Sequence, residues 1–174
     1  MHRLIPSLTL LALAALAAST GCAGSRFDGS VYRGDGYAFR VGPTPPTWRR
    51  ISVSGGALAF RDDEHDATIA ANGRCGIDGD DVPLVALTQH LFLEFTDREI
   101  LQQTTTTMDG REAMNTLLLA KLDGVPKKFD VWVLKKDGCV YDLYFIARPD
   151  RFDQGDAAFQ RFAQGFAAMP SHAD

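Results

Sequence analysis

The chain has 174 residues, of which 45% are hydrophobic, and its formal net charge at pH 7 is −4. This length suits a single domain with a sizeable core. The mild acidic excess argues against non-specific nucleic-acid binding and against a basic surface that docks on membranes.

The first 21 residues predict a secretory signal peptide. His2-Arg3 gives a positive start, and residues 4–18 are apolar but too few to span a membrane. Ser19-Thr20-Gly21 then precedes Cys22, and this order resembles the bacterial lipoprotein processing box, although Ser19 stands where the box usually has Leu, Val or Ile. We expect residues 1–21 to be removed and Cys22 to be lipidated; an ordinary cleaved signal with an uninvolved cysteine is the alternative.

Export would leave Cys75 and Cys139 together in an oxidising compartment, where we expect a disulfide. These two cysteines are 64 positions apart. In the chain-entropy model, a disulfide that closes a loop of this length would stabilise the fold by roughly 4 kcal/mol. Two buried free thiols or a metal pair are the alternatives, and the lack of C-x-x-C spacing and of an accompanying His disfavours a metal.

The residue after Cys22 bears on which membrane holds the anchor. Position 23 is Ala and not Asp, and an Asp there would resemble an inner-membrane retention signal. We therefore expect anchoring at the periplasmic face of the outer membrane.

The next segment predicts a tether followed by short strands. Residues 22–36 are rich in Gly, Ser and Asp and lack periodicity, which predicts a flexible link between the lipidated Cys22 and a single domain over residues 37–169. Residues 170–174 would be a tail. Strands are predicted at 37–41, 48–53, 57–61 and 67–71, separated by turns rich in Pro, Gly and Asp.

Two helices are predicted from apolar stripes. The first covers residues 83–95, where Leu84, Leu87, Leu91 and Phe95 share one face, and acidic residues before Pro83 suit its positive end. The second covers residues 153–168, where three phenylalanines and an alanine share a face.

Between the helices, the sequence predicts antiparallel strands. Strands at 99–108 and 112–122 flank Asp109-Gly110, and two apolar runs within 129–147 flank Asp137-Gly138. Asp-Gly favours the tight turn of a β-hairpin, because both central residues need positive φ. The consecutive apolar residues of the last hairpin indicate that both faces of its strands are covered. The pattern therefore predicts an α+β fold with helices packed on an antiparallel sheet.

Several segments resemble the PsbP-like domains over residues 37–168. These are Tyr37-Ala38-Phe39, Pro46-x-Trp48, the segment 109–113, the aromatic hairpin, and Phe162-x-x-Gly165-Phe166 in the closing helix. The resemblance implies an α-β-α sandwich around an antiparallel sheet. It also implies a binding or assembly module, as most proteins of this fold are, including an extrinsic subunit of photosystem II and bacterial envelope lipoproteins.

No constellation in the sequence predicts a catalytic, cofactor or metal site. The mature histidines are isolated, and the acidic turn at 62–66 lacks the spacing of a Ca²⁺ loop. We expect a lipid-anchored envelope protein that is not an enzyme, binds no cofactor or nucleic acid, and acts on an unidentified envelope protein partner. Aromatic strand residues are usually core, but Trp48, Trp132, Tyr141 and Tyr144 could instead line a groove for a small apolar ligand, which would make the protein a periplasmic carrier. A hydrolase would require titratable side chains that converge in a cleft.

Overall fold

The computed structural model describes residues 26–76 and 81–170. Its strands are β1 (Arg26–Phe27), β2 (Val31–Arg33), β3 (Ala38–Arg40), β4 (Arg49–Ile51), β5 (Leu58–Asp62), β6 (Ala67–Cys75), β7 (Thr96–Met108), β8 (Arg111–Leu122), β9 (Val125–Lys136), β10 (Cys139–Ala147) and β11 (Ala167–Met169). Its helices are α1 (Leu84–His90) and α2 (Phe152–Gln164). Neither helix of these described ranges is long and apolar enough to cross a membrane.

A seven-stranded antiparallel sheet forms the middle layer, in the order β4-β5-β6-β10-β9-β8-β7. Two-residue turns at Asp109-Gly110, Asp123-Gly124 and Asp137-Gly138 connect β7 to β10, and φ is positive at all six turn residues. Successive strands therefore pair as hairpins. The predicted central hairpin is confirmed, since β9 and β10 have neighbours on both sides.

Side chains alternate between the two faces of this sheet and form two separate cores. On one face, Leu143 and Phe145 of β10 pack with Phe159 and Phe162 of α2. On the other face, the core contains Phe129, Val131 and Val133 of β9, Leu84 of α1 and Phe92 just after it. The predicted coverage of both faces, with one helix on each, is thus confirmed.

A second, four-stranded sheet in the order β1-β2-β3-β11 lies on the same side as α2, and it was not predicted. The prediction of a flexible tether over residues 22–36 is therefore wrong for its second part, because β1 and β2 fall within that range. Tyr32 of β2 is fully buried and stacks on Phe39 of β3, with ring centroids 5.2 Å apart. The folded domain therefore includes residues from at least Arg26 onward, while Cys22 and residues 1–21 lie outside the described residues.

Both helices are shorter than predicted. α1 ends at His90. The turns that follow are closed by hydrogen bonds between residues three positions apart, such as that from Phe92 N–H to Gln89 O at 3.1 Å. α2 ends at Gln164, after which the chain extends into β11 and pairs with β3. The apolar pattern past both ends reflects packing against the sheets rather than continued helix.

Candidate functional site

A cleft of about 260 Å³ lies between the large sheet and the segment that contains and follows α1. Six of its lining side chains are apolar and four are polar. They are Leu91, Phe92, Phe95, Phe129, Val131 and Ile146, together with Asn72, Arg74, Asp142 and Tyr144. The apolar side chains come from β9, the end of β10 and the segment that follows α1, whereas the polar ones come from β6 and the middle of β10. The cleft therefore has an apolar end beside the segment after α1 and a polar end toward β6.

Aromatic packing builds the apolar end. Phe129 of β9 meets Phe92 and Phe95 edge to face, with ring centroids 5.5 and 5.1 Å away. Phe129 is opposite Ile146 in the β9–β10 register, so both side chains point to the α1 face. Edge-to-face rings of this kind hold their orientation and give the cleft a preformed apolar wall.

An ion pair between a buried carboxylate and a partly exposed arginine forms the polar end. Asp142 of β10 is 2% exposed, and Arg74 Nη2 donates to its Oδ1 over 2.8 Å. The register places Asp142 opposite Asn72 and Val140 opposite Arg74, so the pair is diagonal across β6 and β10. Burial raises the pKa of Asp142 to about 6, and the Arg74 charge offsets part of that rise. Burial, with the Asp142 charge second, also raises the pKa of Tyr144 to about 12.

The guanidinium of Arg74 has one unused buried donor. Its Nε is inaccessible to solvent and has no hydrogen-bond acceptor among the residues that the structure describes. Asn72 beside it is oriented by Tyr37, whose hydroxyl donates to Asn72 Oδ1 over 3.1 Å. A buried donor without an acceptor is unfavourable, and because this atom has no accessible surface, a molecule in the cleft does not reach it.

The predicted disulfide is present next to this polar end. Cys75 and Cys139 are register partners on β6 and β10, with Cα atoms 4.0 Å apart, and their sulfurs are bonded. Because Cys75 directly follows Arg74, the disulfide links the strand of Arg74 to the strand of Asp142. It therefore holds together the two strands that carry the ion pair.

The other residues considered from the sequence have different roles. Trp48 and Tyr141 are buried in the core on the α2 side, and Trp132 packs against that core. Of the four aromatic residues that the carrier hypothesis placed in a groove, Tyr144 alone lines this cleft, so the hypothesis was wrong for the other three. The sequence analysis did not identify Arg74 or Asp142 as site residues. The available signal was Asp142, a charged residue inside the apolar run of β10.

The second notable surface is the free edge of the large sheet at β7. Every β7 residue except Met108 is exposed, including Ile100 at 53% and Leu101 at 44%. β7 carries no charged residue between Glu99 and Asp109. Charged and proline residues usually protect long edge strands from pairing, so this edge is unusually open to another strand.

The fold and site define an α+β protein with a ligand-sized cleft on one face of its sheet and an open strand at its edge. Neither a family model nor a curated protein matches the chain. Among solved structures, it is similar to LpqN of Mycobacterium tuberculosis, described as involved in cell envelope biogenesis, with a TM-score of 0.55, 17% identity, and coverage of 79% of this chain and 87% of that chain. It is also similar to cyanobacterial PsbP (CyanoP) from Synechocystis, with a TM-score of 0.53, 16% identity, and coverage of 86% of this chain and 99% of that chain. The chain has a PsbP-like fold, as the sequence predicted.

Proposed function

We propose that this protein is a lipid-anchored, non-catalytic binding or assembly module of the bacterial cell envelope. The anchor would be Cys22, exposed as the first mature residue when residues 1–21 are removed. The Cys75–Cys139 disulfide supports an exported location, because disulfides persist in oxidising compartments. The envelope role described for LpqN supports the same location for this fold.

Fractionation of the full-length protein tests the anchor. Wild-type protein should sediment with outer membranes on a density gradient, and Cys22→Ser should move it to the soluble periplasmic fraction. Ser25→Ala is the matched control, since it changes the same N-terminal segment and leaves Cys22 and the Cys75–Cys139 disulfide intact. Membrane association of Cys22→Ser equal to wild type would overturn the anchor, and sedimentation of wild type with inner membranes would overturn the outer-membrane assignment.

The observation that carries a binding or assembly role is the open edge of β7. The turn at Asp109-Gly110 makes Met108 and Arg111 a hydrogen-bonded pair, so every second β7 residue turns its backbone groups away from β8. The residues with outward backbone groups are therefore Gln103, Thr105 and Thr107. An extended segment of a partner protein can pair with these groups and continue the sheet.

Proline scanning tests this edge. Thr105→Pro removes an outward N–H at an edge position where proline is tolerated, whereas Thr105→Ala keeps that N–H. A photo-crosslinker at Gln103 should give one crosslinked product in membranes, lost in Thr105→Pro and kept in Thr105→Ala. The same crosslinker at exposed Asp150 should not give that product. A product that persists in Thr105→Pro would show that partners bind elsewhere.

The absence of catalysis is part of the proposal, and the geometry of Asp142 supports it. A carboxyl group with a raised pKa in a cleft can serve acid–base chemistry. Here, however, the carboxyl is almost fully buried and its Oδ1 accepts from Arg74. This arrangement fits a pair that orders the polar end of the cleft. Turnover of a panel of ester, peptide and phosphate substrates that is lost in Asp142→Asn would contradict it.

The cleft favours a second candidate function, that of a periplasmic carrier of a small ligand. Its volume of about 260 Å³ and its six apolar lining residues are close to the requirements of small-molecule sites. Native mass spectrometry of protein released from membranes should detect a bound small molecule of low polarity. Ile146→Trp, which places a larger ring at the apolar end, should abolish that adduct; an adduct unaffected by this change would place the ligand outside the cleft.

A further inference from the structure

Charge is unevenly distributed along the chain. Residues 26–50 contain five arginines and two acidic residues, whereas residues 51–174 contain 12 basic and 20 acidic residues. The mild acidic excess of the whole chain argued against a basic docking surface, but it averages over these two unlike parts. β1, β2, β3 and the first two residues of β4 all lie in the basic part, so its charge is collected in one region of the fold.

Two of these arginines lie on the outer face of the small sheet. Tyr32 and Phe39 are register partners in this sheet, and both are fully buried against the core. Because side chains alternate along a strand, the neighbouring Arg33 and Arg40 point outward, and both are exposed. Asp28 pairs with Arg33 over 3.2 Å and offsets part of this charge. The outer face of the small sheet is therefore basic.

A third arginine flanks β1 from the edge of the large sheet. Arg50 of β4 is exposed, and its guanidinium carbon lies 5.5 Å from the ring centroid of Phe27 in β1. Phe27 is the register partner of Tyr32, which directly precedes Arg33. Arg33, Arg40 and Arg50 thus lie around the first strand of the described domain, and we call these three residues the basic face.

The proposed lipid would be attached close to the basic face. Cys22 precedes Arg26, the first residue of β1, by four positions. Four residues span at most about 14 Å when fully extended. A folded domain of this size is roughly 40 Å across, which is more than twice that reach. The bilayer that holds the lipid would therefore lie beside β1 and not on the opposite, α1 side of the large sheet.

We propose that the basic face lies on the anionic phospholipid head groups of the bilayer that holds the Cys22 lipid. Each arginine near an anionic bilayer surface favours the docked domain about fivefold, so the three together favour it about a hundredfold. The cleft lies on the α1 side of the large sheet and would then face away from the bilayer. This inference rests on the proposed anchor and adds the orientation of the domain to it.

Photo-crosslinking of the purified, lipidated protein measures this orientation. p-Benzoylphenylalanine replaces either Val31, which is opposite Arg40 on β3, or exposed Leu93 on the α1 side. In vesicles of phosphatidylethanolamine with a minority of phosphatidylglycerol, position 31 should give phospholipid adducts by mass spectrometry, and position 93 should give few. The adduct at position 31 should be lost when phosphatidylcholine replaces phosphatidylglycerol. It should also be lost in about 1 M salt, where the Debye length falls to roughly 3 Å.

Removal of the three charges is the decisive change. The combined variant Arg33→Gln, Arg40→Gln and Arg50→Gln should lose about a hundredfold in the ratio of docked to undocked domain, and its position 31 should give no more adduct than position 93. The corresponding variant with three lysines should keep the wild-type adduct, because attraction to a surface potential depends on charge and not on the shape of the guanidinium. Thermal melts check that both variants are folded.

A matched control removes three exposed arginines from outside the basic face. Arg148 pairs with Asp150 much as Arg33 pairs with Asp28, so the control also breaks one surface ion pair. Its adduct at position 31 should equal that of wild type. The control substitutions are Arg98→Gln, Arg148→Gln and Arg151→Gln.

The other outcomes would overturn the proposal in distinguishable ways. Equal loss of adduct in the control would show that net charge acts, and not this face. More adduct at position 93 than at position 31, or adducts insensitive to salt and to phosphatidylglycerol, would place a different surface on the bilayer. In cell membranes, a protein crosslink at position 31 in place of lipid adducts would assign the face to an acidic protein partner. These three results leave the Cys22 anchor intact, whereas a mature protein without a lipid would refute the anchor and the docking together.

Discussion

The buried Asp142 should make the domain less stable as pH rises, and Asp142→Asn should remove that dependence. In the folded protein the pKa of Asp142 is about 6, compared with an ordinary value of 3.8. The folded state therefore holds a proton that the unfolded state releases between these two pH values. Stability is highest below the unfolded pKa and falls as pH rises through this interval.

The magnitude follows from the width of this interval. One pKa unit corresponds to about 1.4 kcal/mol, so full ionisation of Asp142 costs about 3 kcal/mol of unfolding free energy. About 2.5 kcal/mol of that loss falls between pH 4.0 and pH 7.5. Arg74 stays charged over this range, and asparagine at position 142 can still accept its hydrogen bond. Between pH 4.0 and pH 7.5, the unfolding free energy of Asp142→Asn relative to that of wild type should therefore rise by about 2.5 kcal/mol.

Urea unfolding followed by tryptophan fluorescence at pH 4.0 and pH 7.5 measures this shift. Asp130 is also buried, and burial raises its pKa, but it is present in both proteins and its contribution cancels. Asp150→Asn controls for a general effect of removing a carboxylate, because Asp150 lies on the surface in an ion pair with Arg148. Parallel pH profiles for wild type and Asp142→Asn would refute the reasoning and show that Arg74 fully offsets the burial of Asp142.

Three further stability changes follow from the packing. Replacing Cys75 and Cys139 with alanine should lower the unfolding free energy by about 4 kcal/mol, because the disulfide closes a loop with a sequence separation of 64 residues; an unchanged urea midpoint would contradict this. Phe159→Ala should cost about 3–5 kcal/mol, since its ring is fully buried between α2 and the sheet, and calorimetry should show the corresponding fall in Tm. Gly155→Ala should cost about 1–3 kcal/mol despite the better helix propensity of alanine, because a Cβ there would lie 2.5 Å from Cζ of Phe145; a stabilised variant would show that the ring can move aside.

The hairpins of the large sheet were predictable because their determinants are local. Asp109, Asp123 and Asp137 each have positive φ and precede a glycine that also has positive φ. Few residue pairs other than Asn-Gly and Asp-Gly adopt that geometry without strain, so two residues are enough to specify the turn. The disulfide was predictable for a different reason: once export is assumed, Cys75 and Cys139 are the two cysteines left after the one assigned to the lipid.

The small sheet could not be predicted, because its stability does not depend on local sequence. β3 lies within the strand predicted at 37–41, but β1, β2 and β11 have two or three residues each and no periodicity to detect. β2 is held by pairing with β3, and β3 by pairing with β11, which follows it by more than 120 residues. The Gly- and Ser-rich composition near Asp28 suggested a tether, but Asp28 instead closes a turn by accepting the N–H of Val31 over 2.7 Å.

The polar end of the cleft shows why binding residues are harder to predict than hairpins. Arg74 and Asp142 are 68 positions apart, and only the β6–β10 register brings them within hydrogen-bonding distance. On its own strand, Asp142 interrupts an apolar run, and a carboxylate at such a position is unfavourable unless a partner compensates for its burial. A replacement of the pair by well-packed apolar residues would be expected to preserve or raise stability, so the fold itself does not require it. The position of this costly ion pair at the end of an apolar cleft therefore supports the proposed carrier function more than a role in folding.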